Sequence, residues 1–210
     1  LETMAPAIEL DEECATAHHQ YAMFLSTLGR LDEALVQIKR AHELDSLSPI
    51  IATAVGRILH FCRRYDEAIE QCQRTVEHNP QFPGGYFDLG LAYIEKGRHS
   101  EALSAFKKMG ELTGNQKSGL MLLAWGRMGQ EEKASEILEE LSEKSNGQYV
   151  PPLSLAFLNM ELGNLDTAMD LLEEGYAVRD SNLLYLQCEP AFDPLRDNPR
   201  FQILLDRMNL

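Results

Sequence analysis

One short segment returns along this chain at almost constant distance. It reads Gly29-Arg30-Leu31-Asp32-Glu33-Ala34-Leu35, then Arg63-Arg64-Tyr65-Asp66-Glu67-Ala68-Ile69, then Gly97-Arg98-His99-Ser100-Glu101-Ala102-Leu103. Weaker copies follow at Gly129-Gln130-Glu131-Glu132-Lys133-Ala134-Ser135 and Gly163-Asn164-Leu165-Asp166-Thr167-Ala168-Met169. Their alanines, Ala34, Ala68, Ala102, Ala134 and Ala168, stand 34, 34, 32 and 34 residues apart. A period of that length means one supersecondary unit repeated, with each unit burying its apolar face only by stacking on its neighbours. That excludes most globular folds at once.

Each unit reads as two helices joined by a tight turn. In the third, Tyr86, Leu89, Gly90 and Tyr93 recur at helical spacing. Gly97 then ends the first helix, because glycine reaches positive φ without steric cost. Ser100 is the expected cap of the second helix, which carries Ala102, Leu103 and Phe106 on one face. Asn79-Pro80 closes the second unit, since proline cannot continue a helix. Two antiparallel helices approach closely only where a side chain is nearly absent. Ala22, Gly56, Gly90 and Ala156 provide such places on the first helices, and the five periodic alanines provide them on the second. Ile38, Phe106, Leu138 and Leu172 are the larger residues expected to fill the space beside them.

These residues resemble the tetratricopeptide repeat, with Tyr86 where tryptophan is usual. The resemblance spans residues 15–182 as five units, 15–48, 49–82, 83–114, 115–148 and 149–182. It implies an all-α, right-handed superhelical solenoid of antiparallel helix pairs. Residues 1–14 read as the remnant of a preceding second helix, and 183–210 as a C-terminal extension ending in a capping helix. Asn198 is placed to cap that helix at Pro199, and Phe201, Leu204, Leu205 and Met208 form one apolar stripe. Two departures stand out. Arg63 occupies the place of the turn glycine, so that turn is expected to be less relaxed. Leu122 occupies a small-residue place and the third unit is short near Thr113-Gly114, so the middle of the array is expected to bend or to pack loosely. The tail Phe192-Asp193-Pro194-Leu195-Arg196-Asp197-Asn198-Pro199-Arg200-Phe201 is similar to the ends of bacterial multidomain proteins that join such arrays to DNA-binding, kinase or cyclase domains.

In this family the first helices line a concave groove. The second, fifth, ninth, twelfth and thirteenth places of a unit point into it. By that resemblance the groove receives Met23 from the first unit, and Ile50, Arg57, His60 and Phe61 from the second. The third gives Phe87, Leu91, Ile94 and Glu95, the fourth Leu123 and Arg127, the fifth Val150, Leu153, Phe157 and Met160. The set is mostly apolar, which suits a helix face or an extended peptide with Leu or Phe anchors. The basic clamp with which some relatives grip a C-terminal carboxylate is absent, because only Arg57 has suitable chemistry at the relevant places.

The remaining features narrow the function. With 33 acidic against 19 basic residues and a net charge of −14, the chain is poorly suited to nucleic acid. No stretch approaches the ~18 apolar residues of a membrane span. Cys14, Cys62, Cys72 and Cys188 are irregularly spaced and read as small apolar residues in a reducing, cytoplasmic setting. His18 and His19 diverge by ~100° on a helix, so neither metal binding nor another cofactor is indicated. Adjacent acids such as Glu131-Glu132 and Glu173-Glu174 read as a solvated face, and no phosphate loop or nucleophile elbow occurs, so an enzyme is not indicated. The leading expectation is a protein-interaction module, a regulatory segment of a larger bacterial protein with a protein or peptide partner. Two alternatives remain open: a scaffold assembling through the truncated N-terminal face as a homo-oligomer, and a sensory array holding a small ligand.

Overall fold

The 34-residue period is realised as helix pairs. The structure, a computed structural model, describes residues 12–114, 120–130, 132, 136 and 152–210. Among them are ten α-helices, two short 3-10 helices and no strand. The first three units supply α1 (Ala15–Thr27), α2 (Leu31–Leu44), α3 (Pro49–Phe61), α4 (Tyr65–His78), α5 (Pro83–Glu95) and α6 (His99–Thr113). Then come α7 (Leu120–Arg127), the pair α8 (Pro152–Glu161) and α9 (Leu165–Ala177), and the terminal α10 (Pro199–Met208). Helices of one pair pack together, and the first helices also touch in sequence, α1 on α3, α3 on α5, α5 on α7 and α7 on α8. These contacts join the first helices into one continuous inner layer.

The two helix types differ in composition because they differ in surroundings. Three of the described second helices bury one narrow stripe at matching spacing, while α6 buries Ala102, Ala105, Phe106 and Gly110. The stripe is Ala34, Leu35, Ile38 and Ala41 in α2, and Ala68, Ile69, Cys72 and Thr75 in α4. In α9 it is Ala168, Met169, Leu172 and Gly175. First helices lie between neighbours on several sides, and α3 buries every residue from Ile51 to Phe61 except Arg57. Within a pair, a small residue of the first helix faces a large one sixteen places on. A Cβ on Gly90 would fall inside the fully buried ring of Phe106, and one on Gly56 would collide with the Cys72 sulfur. Ala22 and Ile38, and likewise Ala156 and Leu172, repeat this spacing with no exposure at all. Ala134, Leu138 and the Leu122 side chain lie outside the described residues; at the third unit's short junction α6 ends at Thr113 and Gly114 takes φ +73°.

The turns repeat as closely as the helices. Gly29, Gly97, Gly129 and Gly163 take φ between +68° and +77°. At each of these turns the next residue's N–H returns to a carbonyl five places back, as in Arg98 N to Tyr93 O at 2.9 Å. This is the arrangement that satisfies the last free carbonyls of a helix. Arg63 adopts the same geometry at φ +59° without being glycine, and so does Arg179 after α9. Ser100 is not the cap of its helix. The cap position belongs to Arg98, whose side chain pairs with Glu101 at 2.7 Å. Arg30–Glu33 and Arg64–Glu67 repeat that pair, placing a carboxylate at each positive helix end.

Beyond α9 the chain makes two 3-10 turns, Ser181–Tyr185 and Pro190–Leu195, before α10. Asp180, Glu189 and Asn198 cap these three elements through side-chain oxygens. Leu183, Leu186, Phe192, Leu195, Phe201 and Leu204 are buried with Met169 and Leu172 of α9 in one cluster. Arg200 fastens α10 to α9 through Asp170 at 2.6 Å and Glu173 at 3.0 Å.

The glycine contacts predict opposite outcomes for one substitution. Gly90→Ala is expected to lose about 1–3 kcal/mol, because the Phe106 ring has nowhere to move. Gly126→Ala meets only ordinary contact at 3.5 Å inside α7 and is expected to gain up to ~1 kcal/mol. Urea unfolding of both variants checks the pair.

Candidate functional site

The inner layer holds the expected groove residues in three different situations. Ile50 stands exposed at 57%, and Phe87 is half-buried without joining the apolar core. Met23 and Leu91 are half-buried with one side against that core. Ile94, Leu123, Leu153 and Met160 are buried by their own neighbours and offer little surface. Val150 lies outside the described residues.

The groove's arginines are neutralised by the next unit. Arg57 donates through Nε and an η nitrogen to both Asp88 oxygens, at 3.0 and 3.1 Å. The Asp88 side chain is only 2% exposed. Burial pushes its pKa up, and the charge and hydrogen bonds of Arg57 hold it back. Arg57 also lies 5.9 Å from the Phe87 ring centre. Arg127 forms the same kind of fork with Glu161, the second contact at 2.9 Å. Both pairs tie successive first helices together. Asp88 and Glu161, which hold these arginines, are not among the expected groove residues. Glu95 remains half-buried among these charges, with its pKa raised by burial.

His60, Phe61 and Phe157 are covered by the chain's own C-terminal segment. His60 Nε2 lies 3.1 Å from Glu189 Oε1, with the histidine side chain 3% exposed. The Phe61 ring stacks on Tyr185 with centres 5.7 Å apart. Arg63, in the adjoining turn, places one η nitrogen 2.8 Å from both Asp193 oxygens. Phe157 packs on Phe192 at 4.7 Å and touches both apolar clusters. The segment therefore reaches from the last described pair to the turn corner of the second unit. No periodicity relates residues 60–63 to 185–193. The one available signal was Arg63 itself, a non-glycine at a glycine position.

His18, Cys72 and Cys188 are buried in packing. His18 has its two ring nitrogens at 2.7 Å from Gln37 Oε1 and 3.0 Å from the Glu12 carbonyl. Among the described residues no group of three His, Cys, Asp or Glu is placed to hold a metal, and no helix is long and apolar enough to cross a membrane. All four cysteines are free thiols, and burial pushes the Cys188 pKa up to about 12.

The profile of the tetratricopeptide repeat matches residues 63–113. Solved structures extend the likeness over nearly the whole chain. TTC0263, a tetratricopeptide repeat protein of Thermus thermophilus, is 20% identical with a TM-score of 0.62, covering 94% of this chain and all of its own. A tetratricopeptide repeat protein from Parabacteroides merdae is 16% identical with a TM-score of 0.62, covering 100% of this chain and 91% of its own. YrrB is 19% identical at a TM-score of 0.54, over 88% of this chain and 96% of its own. These likenesses establish the fold. A search of curated proteins returns no match.

His60 makes the corner pH-dependent. Burial alone would lower its pKa, but the hydrogen bond and charge of Glu189, with Glu95 and Asp88 behind, raise it above 6.5. A raised histidine pKa gives stability that is complete below about pH 6.5 and lost as pH rises through the folded value. Between about pH 6 and about pH 8.5, the wild-type melting temperature should fall ~2–4 °C further than that of His60→Gln, matching a contact of about 1 kcal/mol. Parallel curves for the two proteins would show that the His60 charge contributes nothing.

Proposed function

Because the chain is an array of tetratricopeptide repeats, and so a protein-interaction module, we propose that the open part of its concave face holds a peptide or helix by apolar anchors. The observation that carries this reading is the accessibility of Ile50 and Phe87 on neighbouring first helices, outside the residues that the C-terminal segment covers. Met23 and Leu91, also on first helices, add partly buried apolar side chains. Contiguous apolar area on a folded surface marks a contact site more often than chance exposure. The internal pairing of Arg57 with Asp88 and of Arg127 with Glu161 removes the cations that would otherwise select an acidic ligand. A partner therefore gains by burying Leu, Met or Phe side chains against this face, in the manner of a helix laid in a groove.

Peptide recognition also has a parallel in fold. YrrB is described as a tetratricopeptide protein with an unusual peptide-binding site. A regulatory role within a larger protein agrees with a concave face that the chain itself partly occupies.

Ile50 and Phe87 lie outside the packed core, so their substitution leaves the fold intact. A peptide selected against the wild-type chain by display should lose at least about tenfold in affinity for Ile50→Glu/Phe87→Glu, or ~1.4 kcal/mol. The circular dichroism spectrum should not change. Equal affinity for the folded variant would remove this surface from consideration.

A further inference from the structure

The C-terminal segment has two faces with different chemistry. Leu183, Leu186, Phe192 and Leu195 are buried in the cluster that includes α9 and α10. Tyr185, Glu189 and Asp193 point the other way, onto Phe61, His60 and Arg63. The first face is a core contact. The second consists of one ring stack and two charge-assisted contacts, and it borders an open cleft of about 570 Å³ lined by Gly29, Leu31, Cys62, Gln187, Cys188 and Arg196. A sealed core would leave no such space. Contacts of this polar, incompletely filled kind resemble exchangeable interfaces, which open while the bodies on either side stay folded.

The corner also carries a backbone cost, and the Arg63 side chain returns a local contact to Tyr65 as well as a distant one. Arg63 is held at φ +59°, a region unfavourable for any residue with a Cβ, where three of the other first-helix turns among the described residues use glycine between φ +68° and +69° and a fourth uses it at +77°. Its side chain is engaged by Asp193 130 residues away. Glycine would relax the turn and lose that contact. The arginine makes sense as a recognition group.

We propose that His60, Phe61 and Arg63 form a binding site for a protein segment carrying an aromatic residue followed four and eight places later by carboxylates. Tyr185, Glu189 and Asp193 are its resident occupants, and a partner segment of the same chemistry competes with them. The aromatic ring stacks on Phe61, the first carboxylate meets His60 at the floor, and the second meets Arg63 at the rim. Specificity follows from burial. A segment lacking the first carboxylate would leave the His60 side chain, 3% exposed, without its partner. This site is separate from the apolar surface at Ile50 and Phe87, and the two assignments can fail independently.

The test uses the full chain and a fluorescent synthetic peptide with the sequence of residues 181–196. The wild-type chain, with its own segment seated, should bind the peptide weakly. Tyr185→Ser/Glu189→Gln/Asp193→Asn frees the corner without touching the apolar face of the segment. This variant should bind at least about tenfold more tightly. Adding Arg63→Gly, which supplies the residue usual at this turn, should reverse that gain. Adding Ile50→Glu/Phe87→Glu instead should leave it intact. Absence of a gain in the triple variant, or a gain that survives Arg63→Gly, overturns the proposal. Hydrogen exchange on the single variant Arg63→Gly gives a reading independent of the triple variant's folding. Residues 181–196 should exchange at least about tenfold faster while α4 stays protected. Unchanged exchange in that segment would equally overturn it.

Discussion

The close approach of two helices at a place with almost no side chain is the constraint on which the array rests. Gly90 against Phe106 and Gly56 against Cys72 show it most directly, because a single added carbon at either glycine would overlap its neighbour. Once a pair is locked in this way, its turn follows. Its first helix is then set facing the first helix of the next unit. The inner layer, and with it any groove, is a consequence of that packing and not a separate design. A stacked array gains stability from each interface as well as from each unit. The ion pairs Arg57–Asp88 and Arg127–Glu161 are interface contacts of this kind, holding successive first helices in register.

What could be read in the residues was what repeats. Ala34, Ala68 and Ala102 announce the helix pairs, and all three are completely buried. Gly29 and Gly97 announce the turns and hold the positive φ that such turns require. Asn198 caps the last helix through the Arg200 N–H at 2.9 Å. Local chemistry was less reliable where two residues compete for one place. Ser100 has the side chain of a cap, yet the chain starts its helix two residues earlier than such a cap would, at His99, with Arg98 in the cap position and paired to Glu101. Non-local pairing was not legible at all. Arg57 and Asp88 are 31 residues apart, off the period of 34, so alignment of the units does not bring them opposite one another.

The candidate groove illustrates the same division. The described residues of the set lie on first helices, but position in the repeat says nothing about what lies over them. Ile94, Leu123, Leu153 and Met160 are consumed by packing between helices. His60, Phe61 and Phe157 are covered by a segment whose contacts depend on the curvature of the whole array. Curvature accumulates from small rotations between units, so closure of the C-terminal segment onto the second unit is a global property. No short window of sequence contains it.

Phe157 shows how that closure changes the meaning of a residue. As a groove position it would be an anchor for a partner, and its replacement would be read as a loss of binding. Here its ring lies 4.7 Å from Phe192 and touches both apolar clusters, so it joins the body of the array to its terminal cap. Replacing it with a charge would place an ionised group between two apolar surfaces, with a desolvation cost that no neighbour offsets. The loss would be one of stability, appearing as reduced binding only because the array had opened. Phe87 is the opposite case. It stands outside the core with Arg57 nearby, and a charge there stays in contact with water. Both phenylalanines stand at expected groove places, Phe87 at the fifth of its unit and Phe157 at the ninth, and the repeat pattern alone gives no reason to treat them differently. What separates them is the segment from Ser181 to Leu195, which covers one and not the other.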